Sequence, residues 1–146
     1  MAKIFRGEWL LVTEPTGYRN AAVYAVRLIR RGRVVSIPRF LGIDSEGILT
    51  IGMTKQLDSR RRQFISGYSS GRGHSAANLL YPLQRNRHHK HFFQTLTFQF
   101  AFQPVPSAKH AKILETKLTL AYCKRFGEAP PLASSFAGRY AHFNDG

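Results

Sequence analysis

Glu115 lies four residues after Ala111, three before Leu118 and seven before Tyr122, so on a helix it shares a face with apolar side chains. A carboxylate in that setting costs free energy unless a cation or hydrogen bonds compensate it. Two compensations are open: a divalent metal ion, with Glu115 as its hard oxygen ligand, or a neighbouring Lys or Arg. The other acidic residues are less informative. Glu8, Glu14, Asp44, Glu46, Glu128 and Asp145 fall in predicted loops or near the ends. Asp58 suits the first turn of a helix, where it meets the positive end of the dipole.

Arg60 follows Leu57 by three residues and precedes Phe64 by four, which turns it toward a core rather than away. An inward guanidinium can clamp a phosphate bidentately. It can equally pair with Asp58 or Glu115, or snorkel past Leu57 to solvent. Arg62 faces the other way. His74 opens a helical segment after the glycine-rich GYSSGRG, a place suited to phosphate binding or proton shuttling, and suited also to plain solvation. That loop lacks the lysine and hydroxyl of a P-loop. His88, His89 and His91 read as part of a basic patch rather than a metal site, because adjacent histidines diverge on a strand.

The chain carries 22 Lys plus Arg against 8 Asp plus Glu, a net charge of +14, yet 43% of it is hydrophobic. A chain of 146 residues with that apolar content buries a core and is not a disordered basic tail. The pI near 10.8 points to a nucleic acid partner. Arg61, Arg62, Arg72, Arg87 and Lys90 are the basic residues expected to contact it. The one cysteine, Cys123, excludes a disulfide framework and a cysteine-built zinc site, and suits a reducing compartment. Neither a transmembrane run nor a signal-type apolar segment is visible, so no membrane association and a cytoplasmic location are expected.

The elements that position these residues follow from periodicity. Residues 9–12, 21–29, 34–38 and 48–53 read as strands, and FLGIDSEG at 40–47 reads as a polar loop. The spacing of Leu57, Arg60, Arg61, Phe64, Ile65 and Tyr68 predicts a helix from about 56 to 66, ended by Gly67. Residues 74–86 predict a second helix that Pro82 kinks or ends. Leu96, Phe98, Phe100 and Phe102 alternate with polar neighbours, a strand with one buried face. Ser107 caps a final helix over 108–126, stopped by Gly127. The expected fold is α/β of the α+β type: a small, mainly antiparallel three-stranded sheet flanked by helices, with an added strand near 95–103. A single domain is expected over 1–146, with a core of about 21–135, an N-terminal extension at 1–20 and an irregular tail at 127–146.

The segments AAVYAVRL, GILTIGMTKQLDSRRRQF, GRGHSAANLLY and ILETKLTLAYCKRFGEAPPL, in that order and spacing, resemble the GIY-YIG nuclease superfamily. AVY at 22–24 matches the first motif and supplies Tyr24. TIG at 50–52 matches the second, and Arg60 follows Gly52 by the eight residues the family uses. His74 matches the histidine after the first helix and Glu115 the metal-binding glutamate. Three features depart from the pattern. Thr50 stands where the second tyrosine is usual, Ala133 follows Pro-Pro-Leu where the family has asparagine, and the linker between the first two strands is longer, holding RGRVVSIPRFLGIDSEG.

The resemblance implies metal-dependent hydrolysis of DNA phosphodiesters by a monomer or homodimer without a small-molecule cofactor. Glu115 would hold Mg²⁺ or Mn²⁺, and Arg60 would neutralise charge on the phosphoryl oxygens. Tyr24 would orient or deprotonate the attacking water, with His74 or Lys55 assisting and Thr50 in the place of the lost phenol. Two other readings suit the same residues: a degenerate relative that binds nucleic acid without cutting, and a basic structural or interaction protein.

Overall fold

The computed structural model describes residues 2–133; the part of the expected 127–146 tail over 134–146, with Asp145, lies outside the described residues. The elements in chain order are β1 (Leu10–Leu11), β2 (Ala22–Arg30), β3 (Arg33–Val34), β4 (Ile37–Arg39), β5 (Gly42–Asp44), β6 (Ile48–Thr54), α1 (Leu57–Ser70), α2 (Ser75–Arg85), α3 (Lys90–Gln94), β7 (Leu96–Pro104) and α4 (Ala108–Phe126). The α+β class is as expected. β2 is the centre of the sheet. β7 pairs with it antiparallel along its whole length, from Ala22↔Pro104 to Arg30↔Leu96. β6 pairs along its other edge, with Tyr24 opposite Gly52. The β2–β3 hairpin turns through Arg31 and Gly32, both at positive φ, which suits the right-handed strand twist. The strand expected as an addition near 95–103 is therefore an inner member of the sheet, with short β1 outside it.

Helices cover both faces. Tyr24, Val26, Leu28, Leu49, Phe98 and Phe100 pack against Leu57 and Phe64 of α1 and Ala77 and Leu80 of α2. Val23, Ala25, Ile48, Ile51 and Ala101 pack against Ala111, Tyr122 and Phe126 of α4, with Ile4 and Phe5 from the N-terminus. β7 thus has a second buried side: Ala101, on the face read as polar, is fully covered by the α4 layer.

Four local expectations change. Residues 40–47 are not all loop, since Gly42–Asp44 pairs with β4 as a separate hairpin. Gly67 does not end α1, which runs on to Gly71 at φ 78. Gly67 instead lets α2 approach: a Cβ there would lie 2.9 Å from Ala77 Cβ. Pro82 lies inside α2 and the helix continues past it to Arg85. The basic run at 85–91 leads into the short helix α3. α4 matches its expected bounds, with the Ser107 hydroxyl accepting from His110 N–H and Gly127 left-handed at φ 76. Among the described residues no helix is long and apolar enough to cross a membrane.

Candidate active site around Tyr24

Tyr24 is a central-strand residue whose ring lies on the face covered by α1 and α2, stacked on Phe100 at 5.1 Å. The ring rests over Gly52, its cross-strand partner. A Cβ on Gly52 would clash with the ring and hydroxyl, lying 2.9 Å from Cε1 and closer still to Cζ and the hydroxyl oxygen. The phenol can occupy this place because position 52 has no side chain. Gly52→Ala is expected to displace the ring, abolish the function that depends on it and cost about 1–3 kcal/mol from overpacking, read by urea denaturation beside an activity assay.

The hydroxyl oxygen of Tyr24 receives two donors. Arg60 Nε–H donates to it at 3.1 Å from α1. His74 Nε2 lies 2.7 Å away. The tautomer of His74 follows from its other nitrogen. His74 caps α2, and its Nδ1 accepts from the backbone N–H groups of Ala76 and Ala77 at 3.2 and 3.3 Å. An accepting Nδ1 carries no proton, so the ring proton sits on Nε2 and points at Tyr24. Arg60 also donates from Nη1 to Gln63 Oε1 at 2.9 Å. These bonds spend two of the five guanidinium N–H groups. Gln63 escaped the sequence reading, although its i+3 spacing from Arg60 is the signal that could have found it.

His74 is buried, and Phe64 meets its ring edge-on at 5.2 Å. Burial first, and then the Arg60 charge, push its pKa down to about 3. It is neutral near pH 7 with both nitrogens engaged, so it holds Tyr24 in place rather than shuttling protons through an imidazolium. The sign of the linkage is clear. Between the folded value and the ordinary 6.5, only the unfolded chain takes the proton, so stability is full above pH 6.5 and falls toward pH 3. The slope is about 1.4 kcal/mol per pH unit from this group alone. Asp58 adds a further loss as pH falls below its ordinary 3.8. Burial would raise its pKa, but the Thr16 bonds and Arg61 hold it below the usual value. His74→Asn keeps a cap for α2 and is expected to flatten the dependence of the urea midpoint between pH 6.5 and 4.

The remaining candidates separate by location. Glu115 is on the sheet-facing side of α4 with Ala111, Thr119 and Tyr122, and is 1% exposed. Its helix covers the opposite face of the sheet from Tyr24, packed against β6, the strand that carries Gly52. Thr50 is buried opposite Val26, on the Tyr24 side of β6, and Lys55 is exposed between β6 and α1. Ala133 ends a turn, its N–H bonded to Pro130 O, next to Leu132, whose N–H bonds to Leu49 O on β6. Arg62, Arg72, Arg87 and Lys90 are exposed. Arg61 is not a surface group: it is 6% exposed, donates to Val12 O at 2.9 Å and lies 3.5 Å from Asp58. Asp58 in turn accepts from the Thr16 hydroxyl at 2.7 Å. Arg61 therefore fastens the N-terminal segment to α1 instead of reaching nucleic acid. Asp58, committed to Thr16 and Arg61, is likewise not the partner of Arg60.

Among the described residues no group of three or more His, Cys, Asp and Glu side chains is arranged to hold a metal ion. Mg²⁺ is commonly bound through one or two carboxylates, waters and substrate phosphates, and Glu115, buried beneath α4 away from Arg60 and Tyr24, does not fit that pattern. No protein-family model matches the chain, and neither a curated protein nor a solved structure matches it.

Proposed function

We propose that this protein is a metal-dependent DNA endonuclease of the GIY-YIG type. The observation that carries the reading is the phenol oxygen of Tyr24, set over Gly52 and held by Arg60 and His74. Negative charge on that oxygen is met by a guanidinium at 3.1 Å and an N–H at 2.7 Å, an arrangement suited to a general base. Tyr24, whose phenolate form these two donors favour, accepts the proton of the attacking water. The water oxygen bonds to phosphorus as the bond to the leaving oxygen breaks, giving one phosphomonoester and one hydroxyl end. The unspent N–H groups of Arg60 bind the phosphoryl oxygens as their charge grows. Glu115, the residue the resemblance implies for Mg²⁺ or Mn²⁺, is buried beneath α4 on the opposite face of the sheet, so no step is routed through it and the reading rests on Tyr24, Arg60 and His74. The net charge of +14 draws in the phosphate backbone through counterion release.

Single-turnover nicking of supercoiled plasmid with Mg²⁺ tests this reading. The wild-type chain is expected to nick, and Arg60→Ala to lose cleavage while still binding DNA. Full activity in Arg60→Ala would remove the guanidinium from the chemistry. The runner-up is a relative that binds DNA without cutting. Thr50, a buried hydroxyl in the place of the second phenol, favours it. It predicts salt-sensitive DNA binding and no metal-dependent nicking at any protein concentration.

A further inference from the structure

α2 has its two ends in different surroundings. At one end, its cap His74 bonds to Tyr24. At the other, Arg85 opens an elbow that turns into α3. With 11 residues in α2 and a rise of about 1.5 Å each, the ends lie roughly 16 Å apart. The elbow presents Arg85, Arg87, His88, His89, Lys90 and His91, all of them exposed.

Its backbone is tied down. Asn86 O accepts from His89 N–H at 3.0 Å and Lys90 N–H at 2.9 Å, and Asn86 Oδ1 accepts from His88 N–H at 2.8 Å. Gln84 donates to Tyr68 O of α1. Arg30 fastens α3 to the sheet, its guanidinium 5.1 Å from the Phe92 ring centroid and its Nε 3.2 Å from Thr95 Oγ1. A ligand meeting these side chains does not have to order the loop first.

The charge distribution adds to this. Between Asp58 and Glu115 the sequence has no Asp or Glu, and this stretch encodes nearly all of α1 and the whole of α2, α3 and β7. Three carboxylates elsewhere are occupied within the fold: Asp58 by Thr16 and Arg61, Glu46 by the amides of Ile4 and Phe5, Glu128 by Arg39. The elbow is therefore a cationic edge on a fixed backbone, at a set distance from the Tyr24 site.

We propose that the α2–α3 elbow is a phosphate-backbone clamp for duplex DNA, gripping it about five base pairs from the phosphate held at Arg60 (roughly 16 Å at 3.4 Å per base pair). The identity of the ligand rests on the nuclease reading. A fixed separation suits a stiff duplex, whereas a flexible single strand has no distance to match.

The test uses the full chain with Tyr24→Phe, to suppress cleavage, and fluorescence anisotropy of a labelled 20-base-pair duplex over a NaCl series. Adding Arg85→Ala, Arg87→Ala and Lys90→Ala is expected to weaken duplex binding about 10- to 100-fold and lower the slope of log K against log salt by about 2 to 3. Lys109→Ala, Lys112→Ala and Lys117→Ala remove the same charge from the exposed side of α4 and are expected to leave the slope nearly unchanged. A 20-nucleotide single strand is expected to lose much less than the duplex in the elbow variant. Equal losses in the two triple variants would reduce the effect to net charge and overturn the clamp. An unchanged slope in the elbow variant, or an equal loss on the single strand, would overturn it too. Failure of the nuclease reading shows separately, as wild-type protein with an intact elbow effect that never nicks plasmid.

Discussion

Tyr24→Phe is expected to cleave DNA about 10²- to 10⁴-fold more slowly than the wild type in single turnover, with duplex affinity retained. The substitution removes one oxygen and little else. The ring keeps its stack on Phe100 and its place over Gly52, because both depend on ring shape. What is lost is the acceptor for Arg60 and His74. Arg60 is half-exposed and turns to water at little cost. His74 is buried, so its Nε2–H is left without an acceptor, at about 1–3 kcal/mol of stability. The urea midpoint should fall by that much while the fold persists, and the cleavage defect should remain at temperatures where the variant is fully folded. Wild-type cleavage by Tyr24→Phe would remove the phenol from the chemistry and leave it as a strut between α1 and α2.

The largest effect on stability is expected at a residue outside the site. Asp44 is fully buried and accepts from four donors: the N–H groups of Glu46, Gly47 and Ile48 at 2.9, 3.1 and 2.9 Å, and the Tyr122 hydroxyl at 2.9 Å. Burial, and then the Asp44 charge, push the Tyr122 phenol well above its ordinary range, so the hydroxyl stays a donor. One carboxylate thus organises the turn into β6 and anchors α4 to it. Asp44→Ala leaves these donors buried without a partner. At about 1–3 kcal/mol for each unmet group, less whatever water recovers, the loss is on the order of 3–5 kcal/mol. That is a large share of a domain's usual margin of about 5–15 kcal/mol. Tyr122→Phe removes one of the four bonds and should cost only about 1 kcal/mol. Urea denaturation of both variants checks the ranking, and an unchanged midpoint in Asp44→Ala would contradict it. Since Asp44 sets the start of the strand that carries Gly52, partial unfolding there should also reach the Tyr24 site.

Much of the local structure was legible in the residue order. Ser107 and Gly127 bound α4, the alternation around Phe98 marks β7, and the three- and four-residue spacing from Leu57 marks α1, because these signals act within one or two turns of chain. The inward turn of Arg60 and Glu115 was legible for the same reason. The misreadings share one cause. Gly67 has the signature of a stop, yet it serves the close approach of α2, a partner ten residues away at Ala77. The three-residue strands of the β4–β5 hairpin are too short, and too rich in Pro and Gly, to show a period. Arg61 sits beside Arg60 on the same helix, and only the placement of β1 sends one to Val12 O while the other reaches Tyr24.

Composition and order alone thus specify the cationic character, the α+β class and which side chains turn inward. They do not specify which inward groups meet. Tyr24 and His74 are 50 residues apart in sequence and 2.7 Å apart at their polar atoms. Their meeting requires the β2–β6 register that puts Gly52 under the ring, and the Gly67 contact that seats α2. The position of Glu115, on the helix covering the other face, was equally beyond reach of periodicity. A helical repeat shows that a residue faces a core, whereas the packing of distant segments selects which core it is.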